Sequence, residues 1–76
     1  MELLKIMGER LKALRENSRL TQKDMADLLD CTPSHYQKIE YGKVNISVSM
    51  LHLIANHFCV SVDYLLGRTE NRETNR

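Results

Sequence analysis

Seventy-six residues, 42% of them hydrophobic, allow one small domain and no second one, and with four aromatic residues the core must be mainly aliphatic. Eleven basic residues barely outweigh ten acidic ones, a formal net charge of +1, so non-specific attraction to a polyanion is weak and the distribution of charge matters more than its sum. No apolar run approaches the roughly 20 residues of a membrane span, there is no signal-peptide layout, and two cysteines are too few for a secreted disulfide framework. The expectation is a soluble, cytoplasmic protein with reduced thiols.

Residues 3–17 read as a helix, with Leu4, Met7, Leu11 and Leu14 at spacings of three and four and charges on the other face. Gly8 is a mild blemish in it, and Asn17, Ser18 and Arg19 break the pattern. Thr21 is a good N-cap for a helix over about 22–29, with Asp24 completing an approximate capping box and Met25, Ala26 and Leu29 turned inward. Asp30 and Cys31 follow as a turn. Thr32 and Pro33 then restart a helix, with proline at its first position, that runs to about Tyr41 and stops at Gly42. Ser47 caps a fourth helix to about Phe58, with Val48, Leu51, Ile54, Ala55 and Phe58 as its buried stripe. Ser61 caps a short fifth helix with Leu65 and Leu66 inside, and Gly67 ends it. The domain is expected to span residues 1–67, and the polar tail 68–76 to fray.

At 100° per residue, Ser34, Gln37, Lys38 and Tyr41 share one face of the third helix, and Tyr36 and Ile39 the opposite one. The inner pair anchors the helix. The outer set offers hydroxyl, amide, ammonium and phenol groups that suit base edges or phosphates in a major groove. Lys38 suits guanine O6/N7, and Gln37 or Ser34 adenine or a phosphate. Positive charge is concentrated away from the segment 44–66, which holds no Lys or Arg, whereas residues 1–20 hold Lys5, Arg10, Lys12, Arg15 and Arg19.

The stretch Leu20–Lys43 resembles the helix-turn-helix of the phage-repressor and Cro-like family, the XRE family. The resemblance rests on Leu20-Thr21-Gln22, Met25-Ala26, Leu29, Tyr36, Ile39-Glu40 and Gly42-Lys43, and continues through Leu51, Ile54-Ala55 and 60–66. It implies an all-α, five-helix lambda-repressor-like fold with the helix-turn-helix in helices 2 and 3. It also implies that Gln22 and Thr32 contact phosphates, that Pro33, Ser34, Gln37 and Lys38 meet bases, and that Lys43 grips the backbone. Arg15 and Glu40 match a pair that ties the first helix to the third. Departures are Asp30 in place of a turn glycine, Pro33 without a side-chain donor, Ile46 where a proline often stands, and a non-basic Val44. These bear on the target sequence more than on the fold.

One such helix reads only a few base pairs, so the expected partner is double-stranded DNA bound by a homodimer. Met50, Leu53 and His57 form a second stripe on the fourth helix for that contact, with Tyr64 near it, and Leu3 and Leu4 offer a competing surface. The expected function is sequence-specific regulation of transcription, as a repressor on an inverted repeat. The alternative is a protein-interaction module, antitoxin-like, on the same scaffold. Cys31 with His35, and His57 with Cys59, lie too far apart to make a convincing zinc site, and Cys31 reads as core packing. No phosphate loop and no nucleophile–base set is present, so neither catalysis nor a cofactor is expected.

Overall fold

Each helix after the first begins where the sequence places a hydroxyl. The structure, a computed structural model, describes residues 2–72 and contains five helices there: α1 (Glu2–Asn17), α2 (Gln22–Leu28), α3 (Pro33–Glu40), α4 (Val48–Phe58) and α5 (Val62–Leu65). Thr21, Thr32, Ser47 and Ser61 are extended residues whose side-chain oxygens accept from the amides of Asp24, His35, Met50 and Tyr64 at 2.9–3.1 Å. Each satisfies one of the amides that a helix start leaves unpaired. Asp24 reciprocates by accepting from the Thr21 amide at 2.9 Å, completing the capping box.

The helix ends are equally uniform. Arg19, Asp30, Gly42, Cys59 and Gly67 all have φ between 55° and 76°. In each case the amide of the next residue donates to a carbonyl five residues back, from Leu20 to Arg15, Cys31 to Ala26, Lys43 to Lys38, Val60 to Ala55 and Arg68 to Asp63. This is the Schellman ending, which satisfies orphan carbonyls through one left-handed residue. Gly42 adopts that conformation without a Cβ penalty, whereas Arg19, Asp30 and Cys59 carry it at a cost.

Met7, Leu11 and Leu14 of α1, Met25 and Ala26 of α2, Tyr36 and Ile39 of α3, Ile54 and Ala55 of α4 and Leu65 of α5 form one buried cluster. Gly8 turns out to be required there. A methyl group on it would lie 2.3 Å from the Glu40 carbonyl oxygen and 2.9 Å from that of Ile39, so α1 can lie this close to the end of α3 only with glycine at the crossing.

One expectation is corrected. Val48, assigned to the buried stripe of α4, is 84% exposed: it is the first residue of the helix and lies about 70° from the mean direction of Ile54 and Ala55. Tyr64 is buried, with the Arg10 guanidinium 4.3 Å above its ring. Residues 68–72, the first part of the polar tail, make contacts with the helices. Arg10 donates to the Thr69 carbonyl and to Glu70, both at 2.7 Å, and the Ser61 amide donates to the Arg72 carbonyl at 2.9 Å. The rest of that tail, 73–76, lies outside the described residues.

Cys59 is exposed, so its side chain buries little to offset the left-handed backbone. Cys59→Gly is expected to stabilise the domain by about 0.5–1 kcal/mol, net of the extra freedom glycine gives the unfolded chain. Thermal unfolding would register this as a rise of a few degrees in Tm, and a fall would show that the thiol contributes packing instead.

Candidate nucleic-acid interface

The third helix presents two unlike faces. Tyr36 and Ile39 are wholly buried, while Ser34, Gln37, Lys38 and Tyr41 are exposed. Its orientation is set by Glu40, whose carboxylate lies in the interior and accepts from three helices. Arg15 of α1 donates through Nε at 2.5 Å and Nη2 at 3.4 Å, Tyr36 of α3 through its hydroxyl at 2.5 Å, and Gln22 of α2 through Nε2 at 3.2 Å. Arg15 also donates Nη1 to the Leu20 carbonyl at 2.9 Å, closing the turn between α1 and α2.

The residues singled out by sequence surround that anchored helix. Thr32 and Pro33 form its N-terminal end, and the Thr32 hydroxyl, accepting from the His35 amide, keeps its own hydrogen to donate outward. Ser34, Gln37, Lys38 and Tyr41 follow along the exposed face, where the Gln37 amide donates to the Tyr41 hydroxyl at 3.3 Å. Lys43 is exposed in the loop beyond, its backbone held to Lys38 by the helix ending. Gln22 is half-buried at the start of α2. The sequence reading paired Arg15 with Glu40 but did not find the bonds from Tyr36 and Gln22 to the same carboxylate. The four-residue spacing of Tyr36 and Glu40 was the available signal.

A family model described as helix-turn-helix matches residues 11–65. The chain belongs to the helix-turn-helix family of phage-repressor and Cro-like regulators. It is 39% identical over 64 residues to the uncharacterized SPbeta prophage-derived HTH-type transcriptional regulator YonR of Bacillus subtilis, covering 84% of this chain and 59% of that protein. It is 31% identical over 61 residues to the immunity repressor of Bacillus phage phi105, covering 80% of this chain and 42% of the repressor. The chain thus spans about half the length of these relatives. Among solved structures, the restriction-modification controller C.AhdI of Aeromonas hydrophila superimposes with a TM-score of 0.74 at 26% identity, over 86% of this chain and 98% of that one. By their names these proteins are a transcriptional regulator, a repressor and a controller protein. No helix among the described residues is long and apolar enough to cross a membrane.

Within this helix-turn-helix the Glu40 site makes folding sensitive to acid. Burial pushes the carboxyl's pKa up, but hydrogen bonds from Arg15, Tyr36 and Gln22 more than offset it, and the net shift is below the ordinary 4.5. The Tyr36 phenol is driven far up by burial and by its bond to Glu40, so it stays protonated and donates. A folded-state pKa below the unfolded one means that ionised Glu40 stabilises the fold fully above 4.5. That share is lost as pH falls below 4.5 through the depressed folded value. Glu40→Gln is expected to cost about 3 kcal/mol at neutral pH, because it strands Arg15, and to flatten the loss of stability below pH 4.5. Urea titrations of both proteins at stepped pH would check this. Equal slopes would show that Glu40 does not carry the acid response.

Proposed function

We propose that this chain is a sequence-specific DNA-binding regulator of transcription, a repressor that occupies an inverted-repeat operator as a homodimer. The observation that carries the proposal is the exposed row Ser34, Gln37, Lys38 and Tyr41 on a helix whose opposite face is locked into the core. In this reading Lys38 donates to guanine O6/N7, and Gln37 and Ser34 meet an adenine edge or a phosphate. Pro33, lacking a donor, offers apolar contact to a thymine methyl. Gln22 and Thr32 bind phosphates where α2 and α3 approach the backbone, Tyr41 extends the reading face, and Lys43 grips the strand past the helix. The names of the relatives, regulators and an immunity repressor among them, support the same reading.

A single half-site of a few base pairs is too little to be selective, and two copies placing their third helices in successive major grooves, about 34 Å apart, supply the rest. The surface proposed for that pairing is on α4. Leu53 is 46% exposed there, beside half-buried Met50 and exposed His57, and no Lys or Arg occurs from 44 to 66. Leu53→Glu is therefore expected to shift the protein to monomer in sedimentation at micromolar concentration and to weaken operator binding with it. An unchanged sedimentation profile would remove α4 from the interface.

Base-reading and backbone roles separate under substitution. Lys38→Ala is expected to cost about 1–3 kcal/mol on a duplex selected from a random pool and to relax preference at one base pair. Lys43→Ala is expected to weaken all duplexes alike and to lower the salt dependence. Binding measured by fluorescence anisotropy across a set of single-base variants distinguishes the two. A Lys38→Ala protein with the original preference and affinity would overturn the reading of α3.

A further inference from the structure

Among the described residues Arg72 is held at Tyr64, donating to its hydroxyl at 3.3 Å, and the other cationic side chains fall into two groups. Arg10, Arg15, Lys23 and Arg68 each pair with a carboxylate, those of Glu70, Glu40, Asp27 and Asp63. Lys5, Lys12, Arg19, Lys38 and Lys43 pair with none among the described residues. Lys38 and Lys43 are already placed at the proposed DNA surface. Lys5 joins them through the backbone. A Cβ on Gly42 would lie 2.8 Å from the Lys5 Cα and 2.9 Å from its nitrogen, so the first turn of α1 abuts the loop whose next residue is Lys43.

The Gly42 contact brings two exposed lysines, 38 positions apart in sequence, to one edge of the third helix. Glu2 and Glu9, three before and four after Lys5 on the same helix, stand where they would have to be to neutralise it, yet neither forms an ion pair with it. With neither lysine neutralised by a carboxylate of the described residues, this edge is left cationic and suits an anion. We propose that Lys5 is a further phosphate-binding residue, gripping the DNA backbone together with Lys43 beyond the C-terminal end of α3. The proposal rests on the DNA-binding reading above and extends it to a residue outside the helix-turn-helix. Lys12 makes the contrast: it lies seven residues further along α1, about 10 Å from Lys5 and away from Gly42.

The test is a salt series of anisotropy titrations on a duplex selected from a random pool and on a scrambled one, with wild type, Lys5→Ala, Lys5→Arg and Lys12→Ala. Lys5→Ala is expected to weaken both duplexes by the same factor, roughly three- to tenfold near 0.1 M salt. It should also lower the slope of log affinity against log salt by about one per bound protomer. Lys5→Arg should restore both quantities. The thermal midpoint should stay at the wild-type value, since Lys5 is exposed and alanine suits a helix. Wild-type affinity and slope in Lys5→Ala would overturn the proposal while leaving the DNA-binding reading intact. An equal loss in Lys12→Ala would overturn it too, by showing an effect of net charge and not of place. A wild-type chain that binds neither duplex at low salt would instead bring down the DNA-binding reading itself.

Discussion

A carboxylate taken out of water must be surrounded by donors, and at Glu40 those donors come from three helices. Apolar packing of Tyr36 and Ile39 sets how deeply α3 sits, but hydrophobic contact is non-directional and would tolerate rotation about the helix axis. The charge-assisted hydrogen bonds that Glu40 accepts from Arg15 of α1 and Gln22 of α2 do not tolerate it. Because Gln22 opens α2 and Arg15 also holds the Leu20 carbonyl, one buried group fixes α3 relative to α1, to α2 and to the turn between them. Gly8 belongs to the same arrangement. It lies seven residues before Arg15, hence on nearly the same side of α1, and its missing side chain lets that side come down on the end of α3.

What could be read from the sequence was what neighbouring residues decide among themselves. A threonine or serine followed by an amide three positions on is a complete cap, and all four starts were found. Gly42 and Gly67 announced their helix ends, and Asp30 tolerates a left-handed turn better than most residues. Arg19 and Cys59 gave no such sign. Their left-handed conformation is imposed by where the next helix has to go, which is a property of the packed fold. Gly8 read as a flaw because its reason, the Glu40 and Ile39 carbonyls, lies more than thirty residues away. Val48 stood at the margin of the α4 stripe and failed because, in the first turn and about 70° from the direction of Ile54 and Ala55, it reaches no core. The polar segment after Gly67 had no apolar content to predict its docking, which runs through the Arg10 guanidinium on the Thr69 carbonyl and Glu70 and through Arg72, bonded to the Ser61 amide and the Tyr64 hydroxyl.

The candidate site divides along the same line. The outward row on α3 follows from helical periodicity alone, and the Arg15–Glu40 pair from resemblance to the family. Two features required coordinates: the convergence of Gln22 and Tyr36 on the same carboxylate, and the contact of α1 with Gly42 that sets Lys5 beside Lys43. Both join residues from different elements, and no spacing rule within one element reaches them.

A net charge of +1 understates how this surface presents itself. Carboxylates cancel Arg10, Arg15, Lys23 and Arg68, and two of those pairs serve the scaffold, joining α1 to α3 and to the segment after α5. Among the described residues Arg72 is held at the Tyr64 hydroxyl and ring, and the other cations without a carboxylate lie between residues 5 and 43, while the segment 44–66 carries Asp63 as its one formal charge. Such a chain has a small monopole and a pronounced asymmetry. Orientation in the field of a polyanion depends on the asymmetry, whereas indiscriminate adhesion depends on the sum. In the proposed complex, that balance turns the α3 edge toward DNA while keeping non-specific binding weak, so that base contacts from Ser34, Gln37 and Lys38 decide where the protein rests.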